Sequence, residues 1–212
     1  MASPRALIQI SLDALKHNLS IIRSQTNAKI MAVVKTNAYG HGLVPCAKAL
    51  VAADALAVRD VYEGVILREQ GISNPICLLE GCFFSDEWRL AAIHDFWPLV
   101  CDTTQLQTLS RTDLPKKIGI WIKLDTGMNR LGFHLPETHR ITRQIERINN
   151  VEILGYMGHC SRADERKHPV TQQQNVQFLK AVDGLPGWRS FANSGALFGF
   201  PETHNDWVRP GI

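Results

Sequence analysis

The sequence predicts an α/β barrel of eight parallel strands, and three observations lead to this fold class. Short apolar runs alternate with segments of helical periodicity along the chain, which is typical of repeated strand–helix units. Eight such apolar runs are found, the number that closes a (β/α)8 TIM-type barrel. Two of them, IMAVV and IGIWI, are apolar on both faces, as parallel strands covered by helices must be. A doubly wound open sheet would show the same alternation, so the strand pattern alone leaves both arrangements open.

The first helix is predicted to begin near Ser11, a residue type that caps helix N-termini well. Four residues at helical spacing form its apolar stripe: Leu12, Leu15, Leu19 and Ile22. Barrel strands are then predicted at 29–34, 55–58, 75–79, 97–101, 118–124, 151–157, 189–192 and 206–209. Helices are predicted between them at 43–53, 61–70, 86–94, 104–110, 136–148, 170–182 and 194–198.

Both ends of the chain predict a second domain. The run 7–10 also has strand character, yet it precedes the first barrel helix and has no obvious partner. The sequence stops directly after the eighth strand, where a barrel needs a last covering helix. We therefore expect residues 1–212 to form one barrel domain, with residues 1–10 belonging to a C-terminal β-domain outside this sequence.

The composition is typical of a soluble globular protein. The chain has 212 residues, of which 45% are hydrophobic and 20% charged, and its formal net charge is +3. No charge run indicates a nucleic-acid partner, and no apolar stretch of about 18 residues indicates a membrane span. The five cysteines lack metal-ligand spacing, so reduced core thiols and no metal site are expected. The N-terminus does not resemble a secretory signal, which predicts a cytoplasmic location.

Reacting groups in parallel α/β folds gather at the carboxyl ends of the strands. Lys35 directly follows the first predicted barrel strand, and its ammonium group is expected to be partly desolvated there. Desolvation favours the neutral amine, which is the form that attacks an aldehyde carbon. The alternative is a lysine that extends its amine to water at the barrel rim.

The surroundings of Lys35 resemble the cofactor-lysine signature of alanine racemases. The segment AVVKTNAYGHG (32–42) carries this match, and four more follow in the family's order: KLDTGMNRLGF (123–133), GHCSRAD (158–164), FANSGAL (191–197) and WVRPGI (207–212). The resemblance covers essentially the whole chain as the N-terminal barrel of a two-domain enzyme. It implies pyridoxal 5′-phosphate as cofactor, alanine as substrate, and interconversion of its L and D forms.

The resemblance also implies roles for individual residues. Lys35 would anchor the cofactor and act as one catalytic acid/base group. Arg130 would contact the cofactor's phenolic oxygen and the substrate carboxylate through its planar guanidinium. Arg209 would face the pyridine nitrogen and keep it unprotonated, because a guanidinium gives up its proton with difficulty. The other implied cofactor-binding residues are Tyr39, His159, Asn193, Ser194, Gly211 and Ile212.

The cofactor phosphate is expected near the ends of the last two strands, where βα barrels commonly bind one. Ser194 is predicted to cap the helix after the seventh strand, and Gly211 and Ile212 would offer backbone amides. The Tyr39 hydroxyl would complete this set.

Five residues keep alternative interpretations, among them Tyr39 as a barrel-mouth aromatic with its hydroxyl in water and Arg209 as a surface salt-bridge arginine. Lys123 is a candidate for carbamylation, which family members often carry here, and an ordinary contact with Asp125 is the alternative. His159 packs against the cofactor ring, hydrogen-bonds toward Arg209, or is a buried structural histidine. Met128 lines the substrate side or simply packs.

Racemisation needs two acid/base groups on opposite faces of the substrate. In the family the second is a tyrosine from the partner subunit's C-terminal domain, and Tyr39, Tyr62 and Tyr156 do not match its motif. We therefore expect a homodimeric full-length parent and a weakly active or inactive isolated chain. Alternatives are a single-domain pyridoxal-phosphate carrier, an ornithine-type decarboxylase barrel and a purely structural barrel. Peptidoglycan precursor supply and alanine breakdown are both compatible roles.

Overall fold

Eight parallel strands close into a barrel in this computed structural model, which describes residues 7–211. The described residues contain nine strands, eight of which form the barrel: β1 (Lys29–Val33), β2 (Ala55–Val58), β3 (Ile76–Leu78), β4 (Phe96–Val100), β5 (Ile118–Asp125), β6 (Phe133–His134), β7 (Val151–Met157), β8 (Trp188–Asn193) and β9 (Trp207–Arg209). Neighbours around the barrel are β4-β3-β2-β1-β9-β8-β7-β5, and pairing of β4 with β5 closes the ring. The two-residue β6 pairs only with the end of β5. The predicted barrel is confirmed, and the open-sheet alternative is wrong.

Helices follow the strands as expected for repeated strand–helix units. They are α1 (Leu12–Gln25), α2 (Lys35–Tyr39), α3 (Leu43–Ala49), α4 (Val61–Glu69), α5 (Ser85–Ile93), α6 (Thr103–Arg111), α7 (Thr138–Ile145), α8 (Val170–Ala181) and α9 (Ser194–Gly199). The Ser11 hydroxyl accepts the Ala14 N–H at 3.2 Å and caps α1 as predicted. The short turn α2 is left-handed rather than right-handed. Within residues 7–211, no helix has the length and apolar character that a membrane crossing requires.

The structure corrects three predicted elements. The helix predicted at 43–53 ends at Ala49, because Leu50 leaves helical geometry and packs into the core before β2. The helix predicted at 136–148 begins as a 3-10 turn, and its α-helical part covers Thr138–Ile145. The run 7–10 forms no strand, since no described segment pairs with it. Residues 1–6 lie outside the described residues, so pairing of this region with a second domain stays a prediction.

Alternate residues of each strand point to opposite sides of the barrel wall. On β1, Ile30 and Ala32 pack outward against the helices, whereas Met31 and Val33 point into the barrel. Ten buried residues form the interior layer: Met31, Val33, Ala55, Ala57, Cys77, Leu99, Cys101, Trp121, Met157 and Trp207. All five cysteines are buried free thiols, in agreement with the sequence.

Candidate active site

A cavity of about 540 Å³ opens at the carboxyl ends of the strands. Nine of the predicted site residues line it: Lys35, Tyr39, Lys123, Arg130, His159, Asn193, Ser194, Arg209 and Gly211. Ile212 lies outside the described residues. The structure therefore brings residues from five strand ends into one mouth, although they lie up to 176 positions apart in the sequence (35 to 211). Residues 7–211 contain no cluster of three His, Cys, Asp or Glu side chains that could hold a metal ion.

The cavity wall carries an excess of positive charge. Four of its side chains are cationic types, Lys35, Lys123, Arg130 and Arg209, and the single carboxylate among its described lining residues is Glu80. Opposite charges attract, so this arrangement favours anionic occupants such as a phosphate or a carboxylate. Glu80 follows β3 at the rim and was missed by the sequence reasoning, because a strand-end Glu has no distinctive local pattern.

Arg209 at the end of β9 is 5% exposed and is held by hydrogen bonds on several sides. Its guanidinium donates to the Ser190 hydroxyl and to the carbonyls of Gly158 at 2.8 Å and Phe191 at 3.3 Å. Burial lowers the pKa of Arg209 to about 10, so the group still carries its charge at neutral pH. The structure thus presents a fixed cation at the cavity wall.

His159 follows β7 and lies next to this cation. Its Nδ1 is 3.3 Å from Arg209 Nη2. A guanidinium can only donate, so Nδ1 accepts and the imidazole proton belongs on Nε2. Burial, followed by the charge of Arg209, lowers the pKa of His159 to about 3. The imidazole is therefore neutral over the physiological pH range.

Lys123 near the end of β5 is 8% exposed, and its amine donates to the carbonyls of Leu124 at 2.8 Å and Leu131 at 3.3 Å. Burial, followed by the charge of Arg209, lowers the pKa of Lys123 to about 8. A sizeable fraction of the amine is then neutral at physiological pH. Within residues 7–211, no hydrogen bond or ion pair joins Lys123 to Asp125, whose Oδ1 accepts backbone amides instead.

Asp125 shapes the loop that carries Arg130. Its Oδ1 accepts the backbone N–H groups of Gly127, Met128 and Asn129 at 2.9–3.1 Å. Arg130 lies exposed at the cavity wall, and no hydrogen bond or ion pair from residues 7–211 holds its side chain. Met128 is partly buried but does not line the cavity, so its predicted substrate-side position is not found.

Residues that follow β1, β8 and β9 meet at one corner of the cavity. Asn193, not Ser194, is the N-cap of α9, since its Oδ1 accepts the Ala196 N–H at 3.0 Å. The predicted N-cap role of Ser194 is therefore wrong by one residue. The Ser194 hydroxyl instead accepts the Gly211 N–H at 2.9 Å. Burial raises the pKa of Tyr39, whose hydroxyl faces the same corner and remains a donor.

Two buried polar residues, Gln174 and Thr126, hold the loops around the cavity in place and were not predicted from the sequence. Gln174 on α8 accepts the N–H and hydroxyl of Ser161, both at 3.1 Å, and donates to the Thr126 carbonyl at 2.9 Å. The Thr126 hydroxyl in turn donates to the His159 carbonyl at 3.1 Å. These bonds tie the loops after β5 and β7 to α8. A glutamine inside a polar helix stretch gives no sequence signal for such a contact.

Comparisons with known proteins point to one family. The family model described as the alanine racemase N-terminal domain matches residues 10–212. The catabolic alanine racemase of Pseudomonas aeruginosa is 44% identical over 213 aligned residues, which cover 100% of this chain and 59% of that protein. The alanine racemase of Pseudomonas taetrolens is 43% identical with the same coverage.

Solved structures agree with these matches. The crystal structure of the biosynthetic alanine racemase from Pseudomonas aeruginosa superposes with a TM-score of 0.90 at 36% identity, covering 95% of this chain and 57% of that chain. This chain thus spans less than two thirds of the length of these relatives. The matches favour the racemase over the carrier, decarboxylase and structural alternatives. The chain belongs to the alanine racemase N-terminal domain family.

Proposed function

We propose that this chain forms the cofactor-binding barrel of an enzyme that interconverts L-alanine and D-alanine with pyridoxal 5′-phosphate. The observation that carries the proposal is a cavity in which Lys35 shares a wall with a fixed buried cation and with a corner of hydroxyl and amide groups. A lysine that only reached for water would not need these neighbours. Family membership supports the same assignment.

The residues present fit the cofactor at both of its polar ends. A methyl group added at Gly211 would lie 3.1 Å from the Tyr39 hydroxyl, so only glycine keeps this corner open for a phosphate. Tyr39, Ser194 and Gly211 would bind the phosphate, and we propose Ile212 as a further amide donor. Arg209 would face the ring nitrogen. Asn193 and His159 would complete the wall around the ring.

When bound, pyridoxal phosphate withdraws electrons from the α-carbon of an attached amino acid, which makes its α-proton removable. Lys35 would hold the cofactor through a covalent bond to its aldehyde carbon. Once alanine has displaced it, the Lys35 amine would take or return the α-proton on one face. Arg130, exposed at the wall, would bind the substrate carboxylate. Arg209 would keep the ring nitrogen unprotonated, because its own charge is stabilised by three hydrogen-bond acceptors.

We propose that Lys123 reacts with CO2 to form a carbamate, R–NH–COO⁻, with release of one proton. Only the neutral amine reacts, and the lowered pKa of about 8 supplies it. The product would exchange a buried cation for an anion between Arg130 and Arg209, both of which lower the Lys123 pKa in its present form. Such an anion would also orient the otherwise unheld Arg130.

The second acid/base group is proposed to come from a partner subunit in a homodimer. Tyr156 is buried and shares a 3.0 Å hydrogen bond with Thr142, and Tyr62 is 57% exposed on α4. Tyr39 lies at the corner that it forms with Ser194 and Gly211, where we propose that the phosphate binds. None of these hydroxyls is suited to act opposite Lys35, so we propose that the 212-residue chain alone racemises slowly.

An apolar groove of about 320 Å³ is open on the outer face of the barrel. It lies outside the barrel wall between α1 and α9, and is lined by Leu15, Leu19, Ile22, Phe198 and Pro210 among others. Every strand of a (β/α)8 barrel is followed by a covering helix. Where the polypeptide continues past Ile212, we propose that its next helix covers this groove, ahead of a C-terminal domain.

Deuterium exchange at the α-carbon tests the proposal. The chain loaded with pyridoxal phosphate is incubated in D2O with L-alanine or D-alanine separately, and the α-proton signal is followed by NMR. Exchange should be fast for one enantiomer only, because Lys35 reaches one face, and Lys35→Ala should abolish it. Lys116→Ala, an exposed lysine paired with Asp95 away from the mouth, is the control. Cofactor binding without exchange of either enantiomer would contradict racemase chemistry and favour a carrier.

A further inference from the structure

The four residues that follow Lys35 share an uncommon backbone conformation. Thr36, Asn37, Ala38 and Tyr39 have φ angles of 56°, 54°, 52° and 53°, and none of them is glycine. Left-handed geometry is unfavourable for each L-residue with a Cβ, and most of all for β-branched threonine. A run of four such residues therefore has to be held in place by contacts from its surroundings.

This left-handed turn determines how two cavity residues are presented. Lys35 precedes it and Tyr39 ends it, and both line the cavity. Its C-terminal end is fixed within the same strand–helix unit: the Gly42 N–H donates to the Asn37 carbonyl at 3.0 Å, and the Leu43 N–H donates to the Asn37 side chain at 2.8 Å. The first amides of a helical turn have no acceptor inside it. Thr36 and Asn37 therefore need an acceptor from elsewhere.

Glu63 on α4, the helix that follows β2, supplies that acceptor. Its Oε2 accepts the Thr36 N–H at 3.1 Å and its Oε1 accepts the Asn37 N–H at 2.8 Å. Oε2 also accepts the Arg59 N–H at 2.9 Å, within the loop that leads into α4. One carboxylate thus joins two neighbouring strand–helix units at the barrel rim. Glu63 itself does not line the cavity, so any effect on the site acts through the turn.

We propose that Glu63 is a positioning residue that holds the left-handed turn and thereby aligns Lys35 and Tyr39 for the cofactor. A carboxylate suits three N–H donors because both of its oxygens accept. Glutamine has the same shape but would direct an N–H2 group at one of these donors. The part of the inference that concerns the cofactor rests on the proposed function, whereas the part that concerns the turn does not.

A second glutamate, Glu87, allows an experiment to distinguish this positioning role from ordinary stabilisation of a helix N-terminus. Glu87 in the first turn of α5 accepts the N–H groups of Phe83 at 2.7 Å and Phe84 at 3.3 Å. These amides belong to its own loop, and neither glutamate lines the cavity. Glu87→Gln removes the same charge at the same rim without touching the turn, so it is the matched control for Glu63→Gln.

The experiment compares both variants with the unchanged chain in two measurements. Amide hydrogen exchange of residues 35–40 in the cofactor-free protein reports the turn directly. Retention of pyridoxal phosphate, followed by visible absorbance during dilution, reports the alignment of Lys35. Glu63→Gln should speed exchange at Thr36 and Asn37 about tenfold and weaken cofactor retention about tenfold, since charged hydrogen bonds are lost. Glu87→Gln should change neither.

A glycine rescue makes the test independent of general destabilisation. Glycine enters the left-handed region without strain, so Thr36→Gly in the Glu63→Gln background should recover part of both losses. This double variant also serves if Glu63→Gln alone does not fold. Unchanged exchange in Glu63→Gln, equal effects of Glu87→Gln, or no recovery by Thr36→Gly would each overturn the inference. If the unchanged chain bound no cofactor, the proposed function would fail, while the exchange measurement would still decide the role of Glu63.

Discussion

The interior of the barrel has an aromatic end and a cationic end, and the same strands supply both. On β5, Trp121 lies two residues before Lys123, and on β9, Trp207 lies two residues before Arg209. Residues two apart point to the same face of a strand, so each pair lies one above the other inside the barrel. Trp97 and Trp188 join the tryptophans, with ring centroids 5.6–6.4 Å apart. On each of these strands, a residue that packs in the barrel interior and a residue that lines the cavity are thus only two positions apart.

The two ends differ in what they do to the free energy of unfolding. The tryptophans close the barrel at the amino ends of the strands and bury large apolar surfaces, which stabilises the fold. The Lys29 ammonium lies 4.8 Å from the Trp188 ring centroid and covers this layer. At the other end, burial lowers the pKa values of Lys123 and Arg209, so holding these cations lowers stability. The aromatic layer therefore offsets part of the destabilisation at the mouth.

The largest effect is expected from removing a ring of the aromatic end. Trp121 is fully buried and packs against Trp188 and Trp207. Trp121→Ala should lower the free energy of unfolding by about 3–5 kcal/mol through lost burial and a residual cavity. Urea denaturation measures the change, with Val176→Ala, 65% exposed on α8, as control. A loss below about 1 kcal/mol would show that the tryptophan layer does not carry the stability of the barrel.

The second largest effect is expected from the buried Lys123 ammonium, which lowers the free energy of unfolding. The Lys123 pKa is about 8 in the folded protein and 10.5 for an unperturbed lysine, so between these values the unfolded chain binds more protons. Stability should rise with pH across this window, by about 3 kcal/mol in total, and the penalty is complete below pH 8. Lys123→Met should lack this rise.

Urea denaturation of the cofactor-free chain from pH 7 to 10.5, in CO2-free buffer, gives the comparison. Ionisation of the buried thiols lowers stability above pH 9 in both proteins, so the difference between the two curves isolates Lys123. Parallel curves for the two proteins would contradict a buried, charged Lys123.

The smallest effect is expected at the phosphate corner. Gly211→Ala would place a methyl group 3.1 Å from the Tyr39 hydroxyl, which has to move aside. We expect about tenfold weaker binding of pyridoxal phosphate with little change in unfolding free energy. Gly199→Ala, whose methyl group would lie 3.6 Å or more from its neighbours, is the control. Unchanged affinity in Gly211→Ala would remove this corner from the phosphate site.

The barrel and most of its mouth could be predicted from the sequence, because strand ends are read from local patterns. The two-sided apolar runs placed β1 and β5, and the positions after them delivered Lys35 and Lys123. Structural features that depend on contacts between distant segments of the chain could not be predicted from the sequence. The N-cap of α9 is Asn193 and not Ser194, and the Ser194 hydroxyl is instead used by Gly211, which follows β9.

The left-handed turn after Lys35 also escaped prediction. Nothing in TNAY indicates four positive φ angles, because the residues that normally permit them are glycines. The turn is held by acceptors on α4, and those contacts depend on the pairing of β1 with β2. Gln174 was missed for the same reason: its partners Ser161 and Thr126 belong to other loops.

We propose that Lys35, and no other amine of the mouth, bonds to pyridoxal phosphate. Lys123 lines the same cavity with a lowered pKa and is a real competitor. Borohydride reduction of the cofactor-loaded protein fixes the bond, and mass spectrometry of its peptides locates the label. The proposed bond predicts a label on Lys35 alone. A label on Lys123, or none on any lysine, would contradict it.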